Sequence, residues 1–488
     1  MKTRLISQKQ LAAAMLAGLA LRLFFIAHRP FYSGDTHFYE ELARNWLDHG
    51  VYGLFVSGQL MPVDMRMPGY PAFLAAIYAV IGRSRTAVLL VQAGLDLATC
   101  YVIAMIAAQL APAEKRARVA TVALWLAALC PFTAGYTAAV LTETLATFLT
   151  ALAFYALLQA LTDSSIELAG ADAGGATLFP FVRWVLLAGV FTGLGTLVRP
   201  EAPLLLAAAG VVLCIGWRRR VDWAKLALAG TWMALGLLLP LLPWAVRNGR
   251  TLGRIEFLAP RYAESRGDFI PRGFYAWTGT WMVRPRDAYS VPWILGKEPI
   301  SAEMLPKSAF DSDSERARVE SLLNSYNSGL KMTPVLDHEF AGLARERTAR
   351  RPWRTFLFIP LARAGALWFT PHIELLPYSG ELWPPGRRWR SNPTDFSVTL
   401  GLGILNIILI GLVVAGAWRC GSKPGLALAI VFLGIRTAFL TQRHTIEPRY
   451  MIVCIPIVLA LAAQAWAIAQ PHIAAAKRAP LLLSDEIS

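Results

Sequence analysis

PGYPAFLAAIYAVIG, running from Pro68 to Gly82, decides how the chain is threaded. It is apolar, but its fifteen residues open on Pro-Gly-Tyr-Pro and fall short of the roughly 20 that a bilayer-crossing helix needs. Around it lie longer apolar runs at 11–27, 86–111, 119–138, 142–162, 183–198, 201–217, 224–246, 396–418, 424–441 and 450–469. Each of these reads as helix, because isolated spans must satisfy their backbone polar groups internally. Loop charges then settle the threading. If 68–82 crosses, Lys115, Arg116, Arg118, Arg218–Arg220, Lys423 and Lys477–Arg478 all fall outside, against the usual collection of Lys and Arg in cytoplasmic loops. If 68–82 rests in the outer interface, all of them fall inside. The interfacial reading is therefore adopted.

Composition agrees with a membrane protein. Of 488 residues, 56% are hydrophobic and 16% charged, against about 25% charged in soluble domains. The excess of 47 Lys and Arg over 32 Asp and Glu suits cytoplasmic edges and anionic headgroups, and no nucleic-acid motif accompanies it. Five cysteines lie scattered without CxxC spacing and read as small buried hydrophobes. At the start, Lys2, Arg4 and Lys9 precede the first run as in a secretory leader. Arg22 interrupts the run and no small-x-small site follows, so an uncleaved first span with a cytoplasmic N-terminus is expected.

The expected architecture is an all-α polytopic membrane protein: a bundle of about ten transmembrane helices with interfacial helices and an extracytoplasmic polar loop region. Residues 1–246 form an N-terminal transmembrane module that includes the first outer loop, 28–85. Residues 247–395 form an extracytoplasmic region rich in Trp, Tyr and Arg, with helical patterns near 313–330 and 335–350. Residues 396–488 supply the last transmembrane helices and a cytoplasmic tail. Trp353–Phe369 carries Pro360 and Arg363 in its middle and reads as interfacial helix. Residues 183–217 are two runs broken at Arg199-Pro200-Glu201, and 169–176 is a small-residue linker.

Charges near a bilayer cost a few kcal/mol each, so the surviving ones are informative. Arg22, Glu143, Arg199, Glu201, Arg247 and Arg436 sit at or near outer span ends. Asp35, Glu40, Asp64 and Arg66 lie in the first outer loop, and Arg443, His444, Glu447 and Arg449 between the last two spans. Asp96, deeper in its span, suits a hydrogen-bonded structural role. Snorkelling explains a single arginine, but carboxylates are too short to snorkel far. Arginines offer planar donors to phosphate, and a carboxylate can take a proton from a hydroxyl. A cleft holding both at the bilayer boundary suits a lipid phosphate.

At these residues the chain resembles a known family. Gly34-Asp35-Thr36-His37-Phe38-Tyr39, with Leu42-Ala43 and Gly50, is similar to the first-loop aspartate motif of the GT-C glycosyltransferases, in the branch of protein O-mannosyltransferases and the lipid A aminoarabinose transferase. Arg66-Met67-Pro68-Gly69-Tyr70-Pro71 resembles the basic segment that follows it there. Thr142-Glu143, Leu197-Val198-Arg199-Pro200, Pro243-Trp244-Ala245-Val246-Arg247-Asn248 and Glu447-Pro448-Arg449-Tyr450 fall where such proteins carry their outer-face signatures. The likeness runs to about residue 250 and resumes near 396.

The resemblance implies transfer of a hexose or pentose from a polyprenyl-phosphate donor to a lipid, glycan or protein acceptor on the extracytoplasmic face, with inversion, in cell-envelope glycosylation. It makes Asp35 the catalytic base and Arg66, Arg199, Arg247 and Arg449 donor-phosphate candidates. Glu143, Tyr39 and His444 are acceptor-side or supporting candidates. A divalent metal on Asp35 and Glu143 is compatible with it, and no other cofactor is implied. A bacterial inner membrane is the expected location. Read without the resemblance, Asp35 is first a helix N-cap, a role compatible with catalysis, and Trp277, Trp281 and Tyr275 either stack on a sugar or pack the loop. Two rivals remain. A transporter or flippase predicts mid-membrane charges and inverted repeats, whereas here most charges gather at one face and no repeat shows. A glycan ligase or polymerase using a pyrophosphate-linked lipid shares the cleft logic.

Overall fold

The computed structural model describes residues 5–169, 178–216, 223–262 and 267–467. The expected linker beyond Ala169, Arg218–Arg220 and Lys477–Arg478 lie outside the described residues. Helix α1 (Gln8–His28) leads to α2 (Gly34–His49), a hairpin of β1 (Gly53–Val56) and β2 (Gln59–Pro62), and α3 (Gly69–Ile81). Then come α4 (Arg85–Leu110), α5 (Arg116–Ala128), α6 (Pro131–Tyr136), α7 (Glu143–Ala169), α8 (Leu178–Val198), α9 (Leu204–Gly216) and α10 (Trp223–Leu252). The polar region holds α11 (Arg272–Gly279), α12 (Pro285–Ser290), α13 (Asp313–Asn327), α14 (Pro334–Arg350), α15 (Ile359–Trp368) and α16 (Pro385–Ser391). Helices α17 (Pro393–Arg419), α18 (Lys423–Thr441) and α19 (Ile455–Ala463) close the bundle, with a 3-10 stretch Pro448–Cys454 leading into α19.

Among the described residues, eight helical segments are long and apolar enough to cross a membrane, which makes the chain an integral, multi-pass membrane protein. Two of the expected crossings are built differently. The run 119–138 is split: α5 stops at Ala128 and α6 starts at Pro131, because proline cannot donate to the helix ladder. The run 201–217 contributes only α9, thirteen residues long. Side-chain and backbone contacts mark the two ends of the bundle. At one end, Arg85 reaches Glu40, Arg199 reaches Glu143 and Arg449 reaches Asp35. At the opposite end, Gly421 N–H donates to the Leu110 carbonyl and Gln464 Nε2 to the Ala107 carbonyl.

The decisive stretch becomes α3, thirteen residues packed on α2 rather than a crossing helix. Its first residue touches the end of α8 so closely that a Cβ on Gly69 would lie 2.6 Å from the Leu197 carbonyl oxygen. Tyr70 OH donates to Gln92 Oε1 at 2.7 Å, and Gln92 Nε2 donates to the Thr137 and Ala139 carbonyls, so α3 is tied to α4 and to the turn before α7. Helices α8 and α10 meet through glycines: a Cβ at Gly189, Gly193 or Gly236 would strike a facing backbone carbonyl at 2.4–2.5 Å.

Arg22 does not point to the outer end. It is fully buried, donates to Asp96 Oδ2 from Nε (2.9 Å) and NH2 (2.6 Å), and reaches the Gly18 and Ala128 carbonyls at 2.9 and 2.7 Å. The Ala128 carbonyl is available because α5 ends there. Asp96 thus has its structural partner. Trp277 and Trp281 are buried with Phe274 and Phe340 and pack the polar region around α11 and α14. Trp353–Phe369 becomes a π-type turn followed by α15, which lies against α18 and carries Arg363 onto the Thr441 carbonyl at 2.8 Å.

Candidate active site

Ser33, not Asp35, occupies the N-cap of α2, and its N–H donates to Thr36 Oγ1 at 3.1 Å. Asp35 therefore sits inside the first turn with its carboxylate free to face inward. There it lines a cavity of about 740 Å³ with Tyr39, Arg66, Glu143, Arg199, Glu201, Arg443, His444, Glu447, Arg449 and Tyr450. The first outer loop, the turns before α7 and between α8 and α9, and the turn after α18 all deliver side chains to it.

Asp35 is held at both oxygens. Arg66 NH2 donates to Oδ1 at 3.2 Å, and Arg449 donates to Oδ2 from NH2 and NH1 at 3.3 and 3.4 Å. Arg449 also pairs with Glu447 at 2.5 Å, while Tyr450 OH donates to the other Glu447 oxygen at 3.0 Å. Behind them Arg199 bridges Glu143 and Glu201, each at 3.0 Å. Burial pushes the Glu201 carboxyl up, but Arg199 and Arg436 outweigh it and hold the group at about 2. Three guanidiniums, those of Arg199, Arg443 and Arg449, stand 4.6, 5.0 and 5.2 Å from the centre of the Tyr450 ring. The network preorganises cations around one carboxylate.

The remaining expected residues fall as follows. Tyr39 lines the cavity edge-on to Tyr70, its hydroxyl pushed up by burial and by Asp35. His444 lies against Tyr275 and Tyr262, and burial with Arg443 and Arg261 pushes it down to about 4, so it is neutral near pH 7. Arg247 is not brought to this cavity. Its guanidinium donates to the Val63 and Tyr52 carbonyls at 2.8 and 2.6 Å and lines a separate apolar cavity of about 310 Å³ with Trp46, Pro240, Pro243 and Trp244. Among the described residues no group of three or more His, Cys, Asp or Glu side chains is placed to hold a metal. Asp35 and Glu143 are each engaged by arginines.

Sequence reasoning left two participants, and one buried carboxyl outside the cavity lining, unassigned. Glu447 and Tyr450 flank Arg449 in its motif, and their adjacency was the available signal. Glu374, in the coil after α15, has both carboxylate oxygens buried without a partner. Burial raises it to about 7. No periodicity or motif marks it.

No protein-family model matches the chain, and no curated protein sequence matches it. Among solved structures it is similar to the archaeal oligosaccharyltransferase AglB from Archaeoglobus fulgidus in complex with an inhibitory peptide and a dolichol-phosphate. Identity there is 13% and the TM-score 0.47, covering 93% of this chain and 49% of that one. It is also similar to ArnT from Cupriavidus metallidurans bound to undecaprenyl phosphate, at 15% identity and a TM-score of 0.40, covering 93% of this chain and 77% of that one. The chain thus spans about half the length of the oligosaccharyltransferase.

Proposed function

We propose that the chain is a membrane glycosyltransferase that moves a sugar from a polyprenyl-phosphate donor to an acceptor hydroxyl or amine. The observation that carries this reading is Asp35 clamped by Arg66 and Arg449 in a cavity at one end of a membrane bundle. The cavity lining holds five arginines against four carboxylates, one cation in excess. That balance matches the single negative charge of a phosphodiester donor better than the two of a pyrophosphate-linked one. The loop charges support an extracytoplasmic position for this end, and the neighbours' dolichol-phosphate and undecaprenyl phosphate are of the same ligand class.

In this reaction the acceptor oxygen or nitrogen attacks the anomeric carbon as Asp35 takes its proton. The bond from that carbon to the phosphate oxygen breaks, and polyprenyl phosphate leaves with one more negative charge. Preorganised arginines stabilise that developing charge, the larger part of the work in such sites. Donor phosphate competes with Asp35 for Arg66 and Arg449, so its arrival frees the carboxylate to act as base. Donor therefore binds before the acceptor is activated. The test is donor consumption by the purified protein in lipid, using a panel of polyprenyl-phosphate sugars with cell-envelope extract as acceptor. Consumption is expected from the wild type alone; equal consumption by Asp35→Asn sinks the mechanism, and none by either sinks the activity.

A further inference from the structure

Among the described residues, two of the five arginines lining the cavity stand outside its ion pairs: Arg261, 5.3 Å from the centre of the Tyr262 ring, and Arg443. Arg66 and Arg449 are on Asp35, and Arg199 is on Glu143 and Glu201. Arg443 makes no side-chain hydrogen bond or ion pair with any described residue, and its Nε is buried without an acceptor. A buried donor left unpaired costs about 1–3 kcal/mol, more on a charged group, and a bound anion would remove that penalty. The group is nevertheless held in place: Arg363 donates to the Thr441 and Arg443 carbonyls at 2.8 and 3.2 Å, fixing the turn that carries it.

The same flank of the cavity turns apolar. Pro203 just before α9, Leu204 and Ala207 from α9 and Phe439 from α18 line it, and the two helices pack on one another. Ala207 is exposed and Phe439 is 40% exposed, on elements that run through the bundle. Pockets of about 300–1,000 Å³ take a drug-sized group. At 740 Å³ the cavity holds a sugar and its phosphate but not a long isoprenoid chain, which must leave through a side. The smaller cavity offers no spare cation, because Arg247 is saturated by backbone carbonyls.

We infer that Arg443 anchors the phosphate of the lipid donor and that the isoprenoid chain leaves the cavity between α9 and α18 into the bilayer. This rests on the donor class proposed above and fixes the donor's direction, with its sugar pointing inward to Asp35.

The experiment reads binding without turnover. Full-length protein in lipid nanodiscs is photolabelled with a polyprenyl phosphate carrying a diazirine in the isoprene unit next to the phosphate. Its affinity is measured for wild type, Arg443→Gln and Arg443→Lys. Label is expected on 204–207 and Phe439, with at least tenfold weaker binding in Arg443→Gln and an intermediate loss in Arg443→Lys. Unlabelled polyprenyl phosphate should displace the probe; displacement by equimolar inorganic phosphate, or by phosphatidylglycerol, would assign the anion site to those sources and overturn the proposal. So would label on Trp46, Pro240 or Trp244, or an unchanged affinity in Arg443→Gln. The wild-type label map decides the exit even if a variant fails to fold. Correct labelling without sugar transfer would sink the proposed function alone, whereas transfer with label on the α10 side would sink this inference alone.

Discussion

Asp35→Asn should move turnover and lipid affinity in opposite directions. The substitution keeps the shape of the side chain but removes the proton acceptor and one negative charge. Loss of general-base help is worth about 10²–10⁴ in turnover, or about 3–5 kcal/mol. The charge effect is worked from the clamp: Arg66 and Arg449 approach Asp35 at 3.2 and 3.3 Å, with side-chain exposures of 21%, 14% and, for Asp35, 16%. Partly exposed pairs of this kind contribute roughly 1 kcal/mol at most each. Releasing both arginines to a phosphate should tighten polyprenyl phosphate binding by about 1–2 kcal/mol, roughly five- to thirtyfold. Transfer of a radiolabelled sugar from its polyprenyl phosphate gives the first quantity, and equilibrium binding of polyprenyl phosphate in nanodiscs the second. A variant with turnover within threefold of wild type refutes Asp35 as base. A variant that loses turnover and also binds the lipid phosphate more weakly assigns Asp35 to structure, since a collapsed site loses both.

Three further outcomes follow from the fold. Arg22→Leu leaves Asp96 buried without its cation and should cost about 3–5 kcal/mol, while Arg22→Met combined with Asp96→Leu should recover most of that; thermal unfolding in detergent measures both, and an equal loss in the double variant would show that the pair is not the cause. Glu374 is raised from 4.5 to about 7, so its neutral form is the one the fold favours, and the stability it allows is complete below about pH 4.5 and falls as pH rises to 7. Glu374→Gln should therefore stabilise by about 3 kcal/mol above pH 7 and by nothing below pH 4.5, and melting curves of the two proteins that stay parallel across pH would contradict the burial of that carboxyl. Gly69→Ala forces a Cβ to 2.6 Å from the Leu197 carbonyl oxygen and should cost about 1–3 kcal/mol, with weaker donor binding because Arg66 stands three residues upstream; unchanged melting and unchanged affinity would show that α3 yields freely.

The spans were legible because a bilayer demands long apolar runs, and the eight long helices lie on such runs. The break between α5 and α6 was less so. Pro131 was visible, but whether it kinks or ends a helix depends on what receives the freed carbonyls, and that receiver is Arg22 on another helix. Asp35, Arg66 and Arg449 were picked from distant stretches, and they meet because outer-end charges have few places to go. Arg247 looked equivalent to them. Its diversion depends on the open end of the β1–β2 hairpin presenting the Tyr52 and Val63 carbonyls to it, which no side-chain pattern encodes. Likewise, that Arg443 is left over while Arg66, Arg199 and Arg449 are held by carboxylates is a property of the pairing, not of its own neighbours in sequence.

The buried Arg22–Asp96 contact also sets an order of events during synthesis. The two residues are 74 positions apart, so α1 reaches the bilayer while the carboxylate is still unmade. An arginine in that position costs roughly 2.5–3.5 kcal/mol on insertion scales, which the other apolar residues of the helix must offset on their own. Only when α4 arrives is the charge matched, and only when α5 has ended at Ala128 does its last carbonyl complete the shell. The first helix is thus finished by the second of its packed neighbours to be made, and α1, α4 and α5 mature as one unit. A nascent chain stalled before α4 displays an unmatched cation within the membrane, the kind of signal by which membrane quality control can tell an incomplete protein from a complete one.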